Sequence, residues 1–583
     1  MAISALPEHL SERTRAIGDA KAPAAGELVL YWMHHAVRAD ENPALDVATT
    51  VALDAGLPLL VYQGLGAHHR FNSDRHHTFI MEGARDVQAA LDAQGVRHVF
   101  HLARTASEPG PLTAIARRAA LVVTEDFPAP PFPRWHEALA RRIEAPLWAV
   151  DTACVLPMGL VGRRFERAYA FREHTQVARD ARVARAWPEI HATPARFEGS
   201  LGFDAVDLAA ADIAALCARC DIDHGVAPVP ATRGGSRAGY ARWEAFKDAG
   251  LAGYDKLRND PTAPWPRGAS RLSPYLHHGH VSPLRIAREA AARPSPGAHK
   301  FLDELLIWRE LAHSFCFYTD DVESLGALPA WARETLDAHR ADERRAHYSW
   351  ERLARATTGD ALWDAAQRAL LVHGELHNNL RMTWGKAFLE WTATPERALE
   401  LMIDLNHRYA LDGSDPNSYG GLLYCLGLFD RAFQPERPVA GTVRARPTAQ
   451  HARRMNVARY GERIVRRDPG VSPRVAVIGA GIAGLVTART LSDHGIEVCV
   501  FERSRGVGGR AATRRADALA FDHGAQYFTA RGESFRRHLQ AWIEEGCVAR
   551  WSARIVKLDD SGMISESEAA ERFVAVPGAS ALA

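Results

Sequence analysis

Five sets of residues combine side-chain type and spacing in ways that chemistry can use. Gly479-x-Gly481-x-x-Gly484 stands between the apolar run Val475-Ala-Val-Ile478 and a helical stretch, and Glu502 closes the next apolar run, Val498-Cys-Val-Phe501. Glycines so spaced allow a tight turn and bring a pyrophosphate close to a helix N-terminus, whose free N–H groups favour anions, while the acid takes ribose hydroxyls. A second glycine pair, Gly508-Gly509-Arg510, follows. Ser270-Arg-Leu-Ser-Pro-Tyr-Leu-His-His-Gly-His280 is a polar, turn-like entry to a helix, suited to holding phosphate oxygens with hydroxyls and N–H groups. Leu306-Ile-Trp-Arg-Glu-Leu311 sets Glu310 among bulky apolar residues, and Gly374-Glu-Leu-His-Asn-Asn-Leu-Arg-Met-Thr-Trp384 lines a helix with amides and a guanidinium. Trp363, Trp384 and Trp391 fall in two helical stretches, and the latter pair, two turns apart, shares one face. They read either as core packing or as a relay of oxidisable rings beside a redox cofactor.

Other groupings read as structure. Cys217 and Cys220 have C-x-x-C spacing but no second pair follows, so they read as buried thiols rather than half a zinc site. His373 and His377 are four apart, with Glu375 out of place for H-E-x-x-H, so they read as ordinary helix histidines and no metal is expected. From Asp430 to Arg467 the chain carries ten arginines (431, 437, 444, 446, 453, 454, 459, 463, 466 and 467) against Asp430, Glu436 and Glu462. The local net is ten minus three, or +7, and it reads as a solvated face or a surface for phosphate backbones.

These residues need scaffolds, and 583 residues is enough for three or four domains at about 150 each. The chain is 47% hydrophobic and 24% charged, which excludes wholesale disorder. Lys plus Arg is 71 against 70 for Asp plus Glu, so the global charge names no partner. Seven cysteines exclude a disulfide scaffold. No run approaches about 18 consecutive apolar residues, and the N-terminal stretch lacks a signal pattern, so a cytoplasmic protein without membrane association is expected.

Short apolar runs Leu28–Trp32, Leu57–Tyr62, Val96–Leu102, Ala120–Thr124 and Pro146–Val150 alternate with amphipathic stretches such as Gly83–Gln94 and Leu112–Ala119. That pattern predicts a doubly wound α/β domain with a parallel sheet over 27–155. No glycine-rich turn follows its first strand, where Met33-His34-His35-Ala36 stands. Residues 156–236 read as a long connection with a few helices, 237–455 as a large all-α domain, 456–472 as a linker, and 473–583 as a partial Rossmann-type βαβ segment.

Together the segments resemble the DNA photolyase and cryptochrome family, most closely the class II cyclobutane pyrimidine dimer photolyases. The resemblance rests on Tyr31-Trp-Met with Arg38-Ala-Asp-Glu-Asn42, Leu272-Ser-Pro-Tyr-Leu-His-His-Gly, Arg309-Glu-Leu-Ala-His-Ser-Phe-Cys-Phe, Leu362-Trp-Asp-Ala-Ala-Gln367, Leu380-Arg-Met-Thr-Trp-Gly-Lys, Leu389-Glu-Trp-Thr, Leu405-Asn-His-Arg-Tyr and Leu411-Asp-Gly-Ser-Asp-Pro-Asn. It runs from about Leu28 to Met455. The C-terminal glycine motifs resemble the start of an FAD-dependent amine oxidase.

The resemblance implies one FAD in the helical domain and light-driven repair of cyclobutane pyrimidine dimers in DNA by a monomer. It implies that Tyr254, Ser270, Leu272, Ser273, Asp412 and Gly413 hold the cofactor and that Asn406 faces flavin N5, where an amide can accept a hydrogen bond from the reduced ring. Glu310 would bind the lesion, with Asn378, Met382 and Tyr424 beside it. Trp384, Trp363 and Trp391 would carry photoreduction, and Arg431, Arg444, Arg446, Arg453 and Arg454 would meet DNA. An antenna chromophore is a further expectation, as is a second FAD or NAD(P) at Gly479, Gly481, Gly484 and Glu502. The chain departs from the family pattern at His278, His280 and Thr383, and at Tyr424, where a tryptophan is usual. Two other readings remain: a cryptochrome-like photoreceptor without repair, and an oxidoreductase working through the C-terminal segment.

Overall fold

Six strands form one sheet near the start of the computed structural model, which describes residues 2–19, 25–464, 473–517, 519–552, 556–558, 561–562, 564–566 and 571–583. The strands are β1 (Thr14–Ile17), β2 (Leu28–Met33), β3 (Leu59–Leu65), β4 (Arg97–Leu102), β5 (Ala119–Glu125) and β6 (Leu147–Val150), in the order β1-β6-β5-β2-β3-β4. All pairs are parallel except β1 with β6. Every residue of β2 and β5 is buried, because helices cover both faces of a parallel sheet; hence the unbroken apolar runs in the sequence. The five parallel strands lie where the sequence pattern predicts them. The antiparallel edge strand β1 is an addition: Thr14-Arg-Ala-Ile17 has no apolar run and is held by backbone pairing to β6.

Helix α1 (Pro43–Ala55) is capped by Asn42, whose side chain accepts from the N–H groups of Ala44 and Leu45, and ends at Gly56 with φ +62°. Helix α2 (Asp74–Ala93) begins nine residues before the predicted Gly83, capped by Ser73. Its first turns hide from a periodicity search because they bury polar groups. The Arg75 guanidinium donates to the carbonyls of Leu370 (2.8 Å) and Leu371 (2.6 Å), satisfying the C-terminal carbonyls of the helix Ala361–His373. The connecting region holds a 16-residue helix, Ala168–Val183, and the short Ile213–Cys217. Cys217 and Cys220 are free and buried in an apolar cluster with Leu208 and Ile213.

The helical part is built around α3 (Arg309–Phe317), α4 (Asn378–Trp391), α5 (Pro395–Tyr409) and α6 (Pro416–Tyr424). Ahead of α3, the helix Pro296–Asp303 runs into a π-helical turn, Glu304–Trp308. Such turns re-aim side chains and recur at functional sites. Gly385 lets α4 approach the end of α6: a Cβ there would lie 2.6 Å from Cys425 Sγ.

The chain divides into two compact units, Met1–Arg344 with Ala369–Ile464, and Arg345–Arg368 with Val465–Ala583. In the second, β7 (Val475–Ile478) and β8 (Val498–Phe501) pair in parallel and are joined by α7 (Ile482–Asp493). Side chains alternate between half-buried and exposed along both strands, with Ile478 81% and Phe501 54% exposed. A second helix, α8 (Glu533–Glu544), packs with Val548 and Phe573. This is a βαβ core with one sheet face uncovered, consistent with a partial Rossmann-type segment.

Candidate functional site

The end of α5 and the start of α6 enclose a fully buried polar cluster. Asn406 is 0% exposed; its Nδ2 donates to Ser418 Oγ at 3.0 Å, and that hydroxyl donates to the Asp412 carbonyl at 2.8 Å. The donor side of the amide is thereby fixed, and Oδ1 is left buried without a hydrogen-bond partner. A buried acceptor left open is costly unless a ligand completes it, and it fits a ring N–H such as the expected flavin supplies. Arg381 of α4 pairs with Asp412 at 3.0 Å, both nearly buried, which anchors the loop. Gly413 is required there, since a Cβ would meet the His407 backbone at 2.7 Å.

Asp415 caps α6 through the Asn417 N–H (2.8 Å) and receives His277 Nδ1 at 3.1 Å. Burial alone raises its pKa, but the His277 hydrogen bond and the His313 and His277 charges outweigh burial and hold the carboxyl below its usual range. That contact joins the helix Ser273–His277 to the pocket, and Leu272 shares one apolar cluster with Leu411. Ser270 and Ser273 bracket Leu272, while Tyr254 starts a short helix, with its ring against Phe246 and Phe301. A knot absent from the sequence reading stands beside them: Glu375 accepts both nitrogens of Arg271 (2.8 and 2.9 Å) and also Arg242 (3.2 Å).

One residue along α4 the character changes. Met382 is half-exposed, and its methyl lies 3.7 Å from the Cβ position of Gly421. Tyr424 ends α6 and meets the Trp308 ring edge-on, with centroids 6.4 Å apart. Trp308, Met382 and Tyr424 are half-exposed while Ile307, Arg381, Thr383, Leu423 and Cys425 beside them are buried. The result is an open aromatic wall carried by the π turn, α4 and α6.

Glu310 departs from its expected place. It is 3% exposed and accepts from the N–H groups of Val155 (2.6 Å) and Leu156 (3.4 Å), and burial pushes its pKa up to about 8. With Arg309, which donates to the Ala153 carbonyl at 2.6 Å, it ties α3 to the chain leaving β6. That carboxylate is an internal brace, not a group offered to a base edge. A carboxylate that reaches the surface of this continuous helix is Glu304, 23% exposed and held by Arg258 and Lys300 at 2.7 Å each. The sequence signal for it was the four-residue step from Glu304 to Trp308 in one apolar stretch. Asn378 is exposed at the first turn of α4; its neighbour Asn379 makes the contacts, donating to the Asn259 carbonyl at 2.7 Å and accepting from Arg446. Trp363, Trp384 and Trp391 are 1%, 1% and 4% exposed, and Trp384 packs edge-on to Phe388.

His377 caps α4, and His373 contacts the Arg463 carbonyl. Among the arginines, Arg444 is forked on Asp430 (2.9 and 3.0 Å), whereas Arg431, Arg453 and Arg454 are exposed. Arg466 and Arg467 lie outside the described residues, as does the second part of the linker, 465–472. At the carboxyl ends of β2 and β5, where a doubly wound sheet offers its crevice, the chain's own rings pack on one another. His34 stacks on Phe132 (4.3 Å) and His35 on Phe127 (3.7 Å), and Glu125 accepts from Tyr31 (2.6 Å) and the His34 N–H.

In the second unit Gly479 has φ +97°, and a Cβ on Gly484 would lie 2.0 Å from the Gly479 carbonyl oxygen. The Gly508 N–H donates to the Ala480 carbonyl at 2.7 Å, closing the turn. Glu502 accepts from the N–H groups of Ala480 and Ser504, both at 2.7 Å, and these bonds lower its pKa. The acid therefore shapes the loop through these two bonds.

The profile of the DNA photolyase family matches residues 29–196, and that of an NAD(P)-binding Rossmann-like domain matches 477–543. A deoxyribodipyrimidine photo-lyase of Methanothermobacter thermautotrophicus is 33% identical over 460 residues, covering 78% of this chain and 98% of that protein. One from Oryza sativa is 35% identical over 454 residues, covering 75% and 87%. In fold, the chain is similar to a class III photolyase of Agrobacterium tumefaciens (TM-score 0.55, 15% identity, 77% and 88% covered). It is likewise similar to a cryptochrome of Synechocystis (TM-score 0.54, 15% identity, 81% and 94% covered). With these relatives, the α/β sheet domain followed by a helical domain places the fold in the photolyase and cryptochrome class. The chain belongs to the DNA photolyase family. Among the described residues no helix is long and apolar enough to cross a membrane.

Proposed function

We propose that the protein repairs cyclobutane pyrimidine dimers in DNA, using light and an FAD held in the helical part. The observation that carries this reading is the change of character between Arg381 and Met382 on α4. The first joins a buried polar cluster with an open amide acceptor, the second an open aromatic wall. A cofactor ring beside the amide and a pyrimidine dimer on the wall would then be separated by about one helical residue.

When bound, reduced FAD supplies one electron on illumination and takes it back after the two carbon–carbon bonds of the cyclobutane part. The chain's own residues bind and orient. Asn406 Oδ1 accepts from the ring edge and adds no charge there. Arg381, Asp412 and Gly413 shape the loop beside it, and Tyr254, Ser270, Leu272 and Ser273 line the cofactor's phosphate and sugar end. Trp308, Tyr424 and Met382 receive the two pyrimidines, whose poor pairing makes them cheap to extrude. Glu304, steadied by two cations, accepts from the base edges in place of Glu310. Trp384, Trp363 and Trp391 pass electrons inward when the cofactor is oxidised. The exposed arginines 431, 453 and 454 contact phosphates, and the turn at Gly479, Gly481 and Gly484, with Glu502, holds a second dinucleotide.

The deciding experiment illuminates the purified, chemically reduced protein with a dimer-containing oligonucleotide and follows recovery of pyrimidine absorbance. Recovery supports repair. Photoreduction of a bound flavin without recovery would transfer the reading to a photoreceptor, and a protein without flavin would end both.

A further inference from the structure

Lys386 lies one turn along α4 from Met382, and its side chain is turned inward. Its residue is 7% exposed, its Nζ donates to the Cys425 carbonyl at 3.2 Å, and the same nitrogen sits 5.6 Å from the centroid of the Tyr424 ring. The close approach of α4 to α6 at Gly385 makes this reach possible. Cys425 adds a second tie, with Sγ 3.9 Å from the Met382 carbonyl. Among the described residues no carboxylate lies within ion-pair distance of Lys386. The one acid that faces it, Asp430, is already forked by Arg444.

A buried ammonium with a single carbonyl acceptor is an unusual tenant, because desolvation of a charge is costly unless something nearby repays it. A tyrosine face does so in part, since the ring's negative quadrupole attracts a desolvated cation. An aromatic ring polarised from behind also presents its other face to a guest with altered charge preference. We propose that Lys386 is a positioning residue of the lesion wall, fixing the Tyr424 ring through its ammonium and lending that wall a positive potential that favours a guest bearing carbonyl oxygens and taking up negative charge. The inference rests on the reading of Trp308, Met382 and Tyr424 as that wall. It assigns Lys386 no contact with DNA phosphates and none with the cofactor.

Burial lowers the pKa of Lys386, and the Arg444 and Arg446 charges act in the same direction, against Cys425 and Asp430. The groups facing it are therefore Tyr424 and Cys425 from α6, and Asp430, Arg444 and Arg446 from the segment that follows.

The test is binding in the dark, by fluorescence anisotropy, of labelled oligonucleotides with and without one thymine dimer, to flavin-loaded full-length protein. Lys386→Met should lower the preference for the dimer about tenfold, leaving affinity for undamaged DNA and flavin content unchanged. Lys386→Arg should restore most of the preference. In the wild type the preference should decline as pH rises toward deprotonation of Lys386, and in Lys386→Arg it should stay flat over the same range. Equal preference in Lys386→Met and wild type, with both folded by circular dichroism, overturns the inference. If Trp308→Ala and Tyr424→Ala also leave the preference intact, the wall itself is misplaced. If they abolish it while Lys386→Met does not, only the role of Lys386 fails.

Discussion

Glu310 and Glu304 sit six residues apart on one continuous helix, yet their surroundings give them opposite chemistry. Burial pushes the Glu310 carboxyl from the usual 4.5 up to about 8. Between those two values the folded protein holds a proton that the unfolded chain has released, so stability must fall as pH rises through that window. Glu310→Gln keeps the acceptor oxygen and removes the titration. Its melting temperature should therefore overtake that of the wild type by a few degrees, on the order of 1–3 kcal/mol, between pH 5 and pH 8. A constant difference across that range would show that the brace carries no such cost. Glu304→Ala should instead lower dimer binding roughly tenfold to a hundredfold, the worth of a charge-assisted hydrogen bond, with little change in melting temperature. Dimer affinity equal to wild type would remove Glu304 from the wall.

At the scale of elements, α4 carries most of the assigned work. It bears Arg381, Met382, Trp384, Lys386 and Trp391, and Trp384 and Trp391 are both buried on it. Trp384→Phe should abolish light-driven reduction of oxidised flavin, read from the visible spectrum, and leave repair intact once dithionite has reduced the protein. Photoreduction at the wild-type rate would mean that electrons take another path. The same element marks the limits of sequence reading. Its 3.6-residue period and its companion α5 were legible, as were the five parallel strands, because burial imposes a repeating pattern on residue type. The pocket residue Asn406 was legible through a family motif. The roles of Glu310 and Glu304 were not, because the π turn Glu304–Trp308 shifts the helix phase by one residue and turns each carboxylate to a face that regular spacing does not forecast. The start of α2 was hidden for a related reason: Arg75 and His76 are buried against carbonyls at the ends of two other helices, Leu370 and Ala410, so polarity there no longer signals solvent.

For the whole molecule, the arginine-rich stretch is expected to govern affinity and not recognition. Replacing Arg453 and Arg454 together by Ala should weaken binding to damaged and undamaged DNA alike and reduce the salt slope by about two. A selective loss for the dimer would place those side chains at the lesion. The second unit makes a different demand. Within it, Arg355 pairs with Asp493 at 2.9 Å, Ser349 bonds to Glu545, Arg489 pairs with Glu351, and the Trp350 ring lies edge-on to His538, so residues 345–368 and the C-terminal segment stabilise one another. Exposed ion pairs contribute little individually, but uncovering Trp350 removes apolar burial of up to about 2 kcal/mol. Truncation after Asp468 should accordingly lower the melting temperature by several degrees while flavin content and dimer opening per flavin at 25 °C persist. Loss of flavin on truncation would mean that the dinucleotide-binding segment is needed to build the helical pocket.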